Sequence, residues 1–162
     1  MPEARPARDV AGVIAPPPLL FALFLVLGLA LDWLLPGRLW PVELPWPVRW
    51  GIGLALVVAG GLLNLAAERR FRAAGTDVRP WRPSTALAAG GPYRFTRNPM
   101  YLGLLLVLAG IALATDGPWL LAQLVPLGLV LHFGVVRREE AYLERLFGDA
   151  YRQYRQQARR WL

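Results

Sequence analysis

The sequence predicts an all-α membrane protein with about four transmembrane helices and a cytoplasmic helical C-terminal region. Hydrophobic residues make up 56% of the 162 residues, and the mean hydropathy is +0.37. Apolar stretches long enough to cross a bilayer recur along the chain, since a spanning helix needs about 20 apolar residues. All 18 basic residues are arginines, and they gather near the ends of those stretches. These three observations favour one polytopic membrane domain over a soluble one.

The apolar stretches divide the chain into a lead, four spans and a polar C-terminal end. Residues 1–18 carry two arginines and three consecutive prolines, and we expect a disordered lead there. This lead is a poor secretory signal, because the apolar run after it is long and no small-residue cleavage site follows. Residues 19–162 are then a single membrane domain. The predicted spans are residues 19–35, 48–67, 99–114 and 119–136, with a polar connection at 68–98 and C-terminal helices at 137–162.

The first two spans carry marks of a membrane environment. Four tryptophans surround the proline-rich connection between them, as in an aromatic belt: Trp33, Trp40, Trp46 and Trp50. Asp32, near the end of the first span, is expected at headgroup level. Four glycines in the second span predict close helix packing. Asn64 and Glu68 share one face of it, where they could bond to a polar segment or a ligand. The alternative expectation is that Asn64 bonds across helices.

Beyond residue 136 a charged helix leaves the membrane. Gly148 is expected to end this helix, Asp149 to cap the next one, and Leu146 to face the protein. The last helix should lie at the interface or fold over a site, with one stripe toward the protein: Tyr151, Tyr154, Ala158 and Trp161.

Arginine counts predict the orientation. The N-terminal lead holds 2 arginines, the polar connection 7 and the C-terminal region 7, whereas the other side holds only Arg38 and Arg49. Cytoplasmic segments carry an excess of basic residues, so both termini and the long connection are predicted to be cytoplasmic.

Composition also argues against several kinds of site. The chain has no cysteine, which excludes disulfides, zinc–thiolate sites and cysteine nucleophiles. Because the chain has a single histidine, we expect no histidine-rich metal site and no bound metal. The net charge of +7 follows the membrane topology, and no nucleic-acid recognition module accompanies it.

Between Gly90 and Gly103 a polar, arginine-rich segment turns into an apolar helix. It reads Gly-Gly-Pro-Tyr-Arg-Phe-Thr-Arg-Asn-Pro-Met-Tyr-Leu-Gly, and composition alone permits a simple membrane-entry cap. A second block follows downstream: Glu139-Glu140, Leu143, Phe147-Gly148, Tyr151 and Tyr154. Together the two blocks resemble the signature of the isoprenylcysteine carboxyl methyltransferase family and its phospholipid methyltransferase relatives, over about residues 71–161.

The resemblance implies an S-adenosylmethionine-dependent membrane methyltransferase acting on a lipophilic acceptor in the bilayer. Tyr93, Asn98 and Glu139 would position the reactants, and no covalent catalytic residue is implied. The implied cofactor contacts are Thr85, Ala86, Leu87, Ala88, Tyr93, Asn98, Pro99, Met100, Tyr101 and Glu139. The implied substrate contacts are Arg97, His132 and Val135.

Three positions depart from the family pattern. Asn98 and Thr85 stand where eukaryotic members have histidine, and asparagine cannot act as a titrating base near neutral pH. Val135 stands where the prenylcysteine enzymes have a substrate-contacting arginine. The acceptor is therefore open between a phospholipid amine, a small thiol and an isoprenoid acid. An amine or a thiol must be deprotonated, whereas a carboxylate needs no base.

Glu139 and His132 have two interpretations each. Only one of two adjacent helical glutamates can face a site, and Glu139 is favoured because it follows His132 by seven residues on the same face. Both glutamates could instead balance Arg137 and Arg138 at the surface. His132 is either a helix–helix hydrogen-bond partner or a polar wall of the acceptor pocket.

Two alternative functions remain at this level. One is an NADPH-dependent membrane reductase of the steroid-reductase type, and the other is a non-catalytic four-helix module. The bacterial inner membrane is the expected location of the protein.

Overall fold

The computed structural model describes residues 10–39, 45–77, 79 and 82–162 as helices joined by turns and one long irregular connection. Within these ranges the extended pairing is a single parallel bridge between Thr96 and Arg159. A 3-10 turn spans Gly91–Arg94, and a π-helical segment spans Leu131–Val136. The α-helices are α1 Pro17–Leu34, α2 Trp46–Ala73, α3 Pro99–Thr115, α4 Pro118–Ala122, α5 Leu124–Val130, α6 Arg137–Phe147 and α7 Asp149–Gln157.

Within the described ranges, three helical stretches are long and apolar enough to cross a membrane, which confirms the predicted fold class. They are Pro17–Leu34, Trp46–Ala73 and Pro118–Phe147. The fourth predicted span is α3, whose 17 residues cover only about 25 Å of a hydrocarbon core about 30 Å thick. Since α3 has buried residues along its length, protein rather than lipid surrounds much of it.

The stretch from Pro118 to Phe147 is not one regular helix. It turns at Gln123, because Pro126 has no N–H to donate to the carbonyl of Ala122. It then changes to π-helical geometry before α6. The predicted span at residues 119–136 therefore contains two departures from α-helical register. Only the first, caused by the proline, was visible in the sequence.

The contact between α2 and α3 is built on glycine. A Cβ on Gly53 would lie 2.5 Å from the carbonyl oxygen of Gly110, and one on Gly60 would lie 2.5 Å from that of Gly103. Small residues allow this approach where lipid supplies no hydrophobic drive between helices. Asn64 lies against Gly103, but its amide donates to the Gly60 carbonyl of its own helix (3.0 Å), so the expected bond across helices is wrong. Glu68 pairs with Arg72 at the exposed end of α2.

On the other side of α3, the core joins α1 to the Pro118–Phe147 stretch. Its fully buried members include Leu108, Leu120, Leu127 and Leu131. Asp32 links α1 to α4, because its carboxylate accepts the backbone N–H groups of Trp119 (2.9 Å) and Leu120 (3.1 Å). Asp32 thus has a structural role in addition to its expected place near the headgroups. Trp33, Trp46 and Trp50 are exposed as expected, and Trp40 lies outside the described residues.

The described part of the N-terminal lead is ordered against the bundle. Ile14 donates its N–H to Gly134 in the π-helical segment (3.2 Å), and Arg138 donates to the carbonyl of Gly12 (3.0 Å). A side chain on Gly134 would collide with Ile14. Residues 10–16 were expected to be disordered, and they pack here because Gly134 leaves a gap that one isoleucine fills.

The C-terminal helices correct two predictions. Leu146 is 45% exposed rather than turned inward, because helical periodicity cannot distinguish a protein-facing from a lipid-facing apolar side chain. Gly148 ends α6 as predicted, but it also occupies the N-cap of α7. Asp149 therefore falls inside the first turn of α7, where it pairs with Arg152 at 2.6 Å.

The last helix ends at Gln157, earlier than expected, and an extended segment follows. We call residues 158–162 the C-terminal tail. The predicted inward stripe is confirmed, since Tyr151 and Ala158 are buried and Arg152, Arg155 and Arg159 are exposed. The tail pairs with the segment before α3, because Arg97 donates its N–H to the Arg159 carbonyl at 2.8 Å.

Candidate active site

A pocket lies where the irregular connection, the start of α3, α6 and α7 meet. About 830 Å³ of free space lies within it, a volume that includes open solvent at its mouth. Its lining includes both Glu139 and Glu140. All five tyrosines of the chain also line it: Tyr93, Tyr101, Tyr142, Tyr151 and Tyr154.

Glu139 and Tyr101 join the two signature blocks directly. The hydroxyl of Tyr101, in the first turn of α3, donates to Oε1 of Glu139 at 2.6 Å. Pro99 occupies the first position of α3, where its fixed φ and missing N–H suit a helix start. A carboxylate can accept about four hydrogen bonds. Glu139 therefore keeps acceptor capacity toward the pocket after binding Tyr101.

Glu140 has a different environment. Its carboxylate lies between Arg97 (2.9 Å) and Arg160 (2.8 Å), and its side chain is 11% exposed. In one of the two interpretations drawn from the sequence, Glu140 balances the neighbouring Arg137 and Arg138. Its partners are instead far away in sequence, and the charge of Glu140 is balanced by cations that only the tertiary fold brings to it.

Arg97 lines the pocket, but its guanidinium is engaged on the protein. Its Nε donates to Glu140, and its Nη1 donates to the carbonyls of Arg155 (3.1 Å) and Ala158 (3.4 Å). A cation at the C-terminal end of a helix is favourable. Arg97 thus attaches α7 to the segment before α3, and its contact with a substrate stays a prediction.

The tyrosines around the pocket are held by the backbone and by each other. Tyr154 donates to the Tyr93 carbonyl (2.9 Å), and Tyr142 accepts the N–H of Ser84 (3.0 Å). The ring of Phe71 meets that of Tyr93 edge to face, with the centroids 5.6 Å apart. Burial raises the pKa of Tyr154 to about 12 and that of Tyr93 well above its ordinary value. Both phenols are therefore neutral at physiological pH.

The structure brings most of the predicted site residues to this pocket. Nine of them line it: Ala86, Leu87, Ala88, Tyr93, Arg97, Asn98, Met100, Tyr101 and Glu139. Asn98 is buried, and its amide donates to the carbonyl of Arg160 at 2.8 Å. The two signature blocks thus lie at one end of the bundle.

Four predicted residues are placed elsewhere. Thr85 faces away, with its hydroxyl on the Gly75 carbonyl (3.0 Å), and Pro99 is buried in the first turn of α3. Val135 is fully buried in the core. His132 accepts the indole N–H of Trp161 at 3.1 Å. His132 lies inside the π-helical segment and Glu139 lies after it, so the seven-residue spacing does not keep them on one face.

Sequence reasoning missed several pocket residues. Phe71, Ser84, Glu140 and Tyr142 line the pocket, as do Ala11 and the charged group Asp77, Arg79 and Arg82. Tyr151 and Tyr154 were placed on the inward stripe but not in the site. One signal was present: all five tyrosines fall in segments predicted to be cytoplasmic or at a cytoplasmic helix end. No comparable signal marked Ala11 or Ser84.

Comparisons with known proteins bear on the same region. The model of the family described as phospholipid methyltransferase matches residues 48–150. An uncharacterized protein of Haemophilus influenzae is 46% identical over 68 residues, which span 39% of this chain and the whole of that protein. The family match includes most of α2 and all of α3 and α6 and stops immediately before Tyr151, so most of α7 and the whole C-terminal tail lie beyond it.

Proposed function

Because the chain belongs to the phospholipid methyltransferase family and is a membrane methyltransferase, we propose that S-adenosylmethionine is its methyl donor. When bound, this group supplies an electrophilic methyl on a positively charged sulfur. The pocket carries the proposal. Its lining contains five tyrosines, a residue type whose ring face attracts cations, and the Glu139 carboxylate, which keeps acceptor capacity after it binds Tyr101.

The residues of the pocket would hold and orient the reactants. Tyr101 fixes the Glu139 carboxylate, and Tyr154 fixes the backbone at Tyr93. Asn98 is anchored through its amide on the C-terminal tail. The walls are therefore set before a ligand arrives, and positioning of this kind supplies much of the rate in a displacement between two bound reactants.

The acceptor that we propose is a lipid, and the family match favours a phospholipid amine. An ammonium headgroup must lose a proton before its nitrogen can attack, and Glu139 is the pocket carboxylate placed to accept that proton. A prenylcysteine carboxylate is disfavoured, because Val135 is buried in the core and provides no cation for it. A carboxylate would also be repelled by Glu139.

We further propose that both termini face the cytoplasm, in the bacterial inner membrane. Residues 10–16, the arginine-rich connection and the C-terminal helices all lie at the pocket end of the bundle. A polar donor could then reach the pocket from the cytoplasm while a lipid enters from the bilayer.

Binding of S-adenosylhomocysteine to the detergent-purified protein, measured by calorimetry, tests the donor. We expect micromolar affinity for the wild type and a loss of roughly tenfold or more in Glu139→Gln, which keeps the shape and removes the charge. Glu68→Gln is the matched control, since Glu68 pairs with Arg72 outside the pocket. A folded protein that binds NADPH but not S-adenosylhomocysteine would overturn the proposal.

Transfer of a radiolabelled methyl group tests the acceptor. Phospholipid amines, a prenylcysteine and a small thiol are offered in separate vesicle preparations. We expect label in the phospholipid fraction and none in the prenylcysteine. Label in the thiol or the carboxylate would replace the amine proposal and leave the donor assignment intact.

A further inference from the structure

Arg160, in the C-terminal tail, contacts a residue of the pocket wall. Its Nε lies 3.1 Å from both carboxylate oxygens of Glu140, and a terminal nitrogen lies 2.8 Å from Oε2. Paired nitrogen–oxygen contacts of this kind fix orientation as well as distance. Glu140 is therefore held by Arg97 from one side and by the C-terminal tail from the other.

The backbone of Arg160 makes a second connection. Its carbonyl accepts the amide of Asn98 at 2.8 Å and the hydroxyl of Thr96 at 3.2 Å. One residue thus touches two pocket-lining side chains on different elements, Glu140 on α6 and Asn98 immediately before α3. Glu139, which precedes Glu140, and Tyr101, in the turn of α3 that follows Asn98, form the 2.6 Å bond that joins the signature blocks.

The geometry points to Arg160 as a positioning residue that sets the spacing between α6 and the start of α3, and hence the shape of the donor pocket. This inference rests on the proposed function. It goes beyond the family match, which ends at residue 150. The C-terminal tail would then be a part of the active site and not an appendage.

The charge balance indicates that removing Arg160 should perturb the pocket without unfolding the protein. Glu140 keeps Arg97 as a partner at 2.9 Å, so Arg160→Ala leaves one carboxylate against one guanidinium. Loss of Glu140 is more severe, because it would leave the buried Arg97 without a carboxylate. Arg160 is therefore the better site for a test.

Arg159 provides a matched control in the adjacent position. It carries the same charge, its side chain is exposed, and its backbone makes the bridge to the segment before α3. Arg159→Ala removes one positive charge from the tail and keeps the Glu140 contact. A difference between the two variants therefore reports the contact rather than net charge.

The measurement is S-adenosylhomocysteine affinity by calorimetry, with thermal melting to show that each variant is folded. We expect Arg160→Ala to bind about tenfold more weakly and Arg159→Ala to match the wild type. Arg160→Lys should recover only part of the loss, because lysine supplies a point charge without the paired nitrogens. In the transfer assay, Arg160→Ala should raise KM for the methyl donor by a similar factor.

Outcomes separate this inference from the proposed function. If the wild type binds no S-adenosylhomocysteine, the donor proposal fails and the inference fails with it. If the wild type binds and the two alanine variants bind equally well, only the role of Arg160 is wrong. A third outcome is that Arg160→Ala fails to fold while Arg160→Lys folds and binds as well as the wild type. The bulk or the charge of the side chain would then be sufficient without the paired nitrogens, and the inference would also be overturned.

Discussion

Gly60 and Gly61 are adjacent in α2, and we expect opposite results when each is replaced by alanine. A Cβ on Gly60 would lie 2.5 Å from the carbonyl oxygen of Gly103 and 2.9 Å from Cγ2 of Val107. A Cβ on Gly61 meets nothing within 4 Å. The two variants have the same composition and change the same helix at the same depth. They differ only in whether the added methyl group collides with α3.

The magnitude follows from two opposing effects. Alanine exceeds glycine in helix propensity by about 1 kcal/mol, a gain that both variants receive. An ordinary carbon–oxygen contact is about 3.3 Å, so Gly60→Ala must push α3 away by roughly 0.8 Å. Overpacking costs about 1–3 kcal/mol, and the upper end applies because a backbone carbonyl cannot rotate aside. The net loss in Gly60→Ala is then about 2 kcal/mol.

Thermal melting in detergent measures both variants. For a chain of this length we expect Gly60→Ala to melt about 4–8 °C below the wild type, and Gly61→Ala to melt at or slightly above it. Methyl transfer by Gly60→Ala should fall at temperatures where the protein is still folded, because α3 carries Tyr101 toward Glu139. Equal melting temperatures for the two variants would refute the packing argument.

Two further predictions concern Asp32, which links α1 to α4, and Gly148, in the turn between α6 and α7. Asp32→Ala removes the acceptor of the Trp119 and Leu120 N–H groups and should destabilise the protein by about 1–2 kcal/mol in melting experiments. Asp149→Ala is the control: it loses an exposed ion pair and should change stability by less than about 1 kcal/mol. If both variants lost the same stability, the structural role of Asp32 would be contradicted. Gly148→Ala should cost about 1–3 kcal/mol, since Gly148 has φ +52 and ψ −121, which alanine adopts only with strain. An alanine there that melts like the wild type would show that the turn between α6 and α7 relaxes freely.

Parts of the candidate site could be predicted because they are local in sequence. The segment from Tyr93 to Tyr101 and the glutamate pair are short patterns. Most of the residues predicted within them line the pocket, whereas Pro99 does not and Glu140 lines it without having been predicted. Thr85 and His132 were misplaced for a different reason. Their positions depend on how a loop folds and on a π-helical segment, neither of which leaves a periodic signal.

The sequence by itself determined the membrane class, the helices and the end of the bundle where the polar chemistry lies. Apolar length, the glycines of α2 and the arginine distribution are properties of short stretches of sequence. Whether such a stretch lies in lipid or in water follows from its own composition. Only the tertiary structure decided that Glu140 is held by Arg97 and Arg160, and that the C-terminal tail contacts the pocket-lining residues Glu140 and Asn98. Those contacts join residues 20 to 62 positions apart, and such pairs form only when packing brings distant segments together.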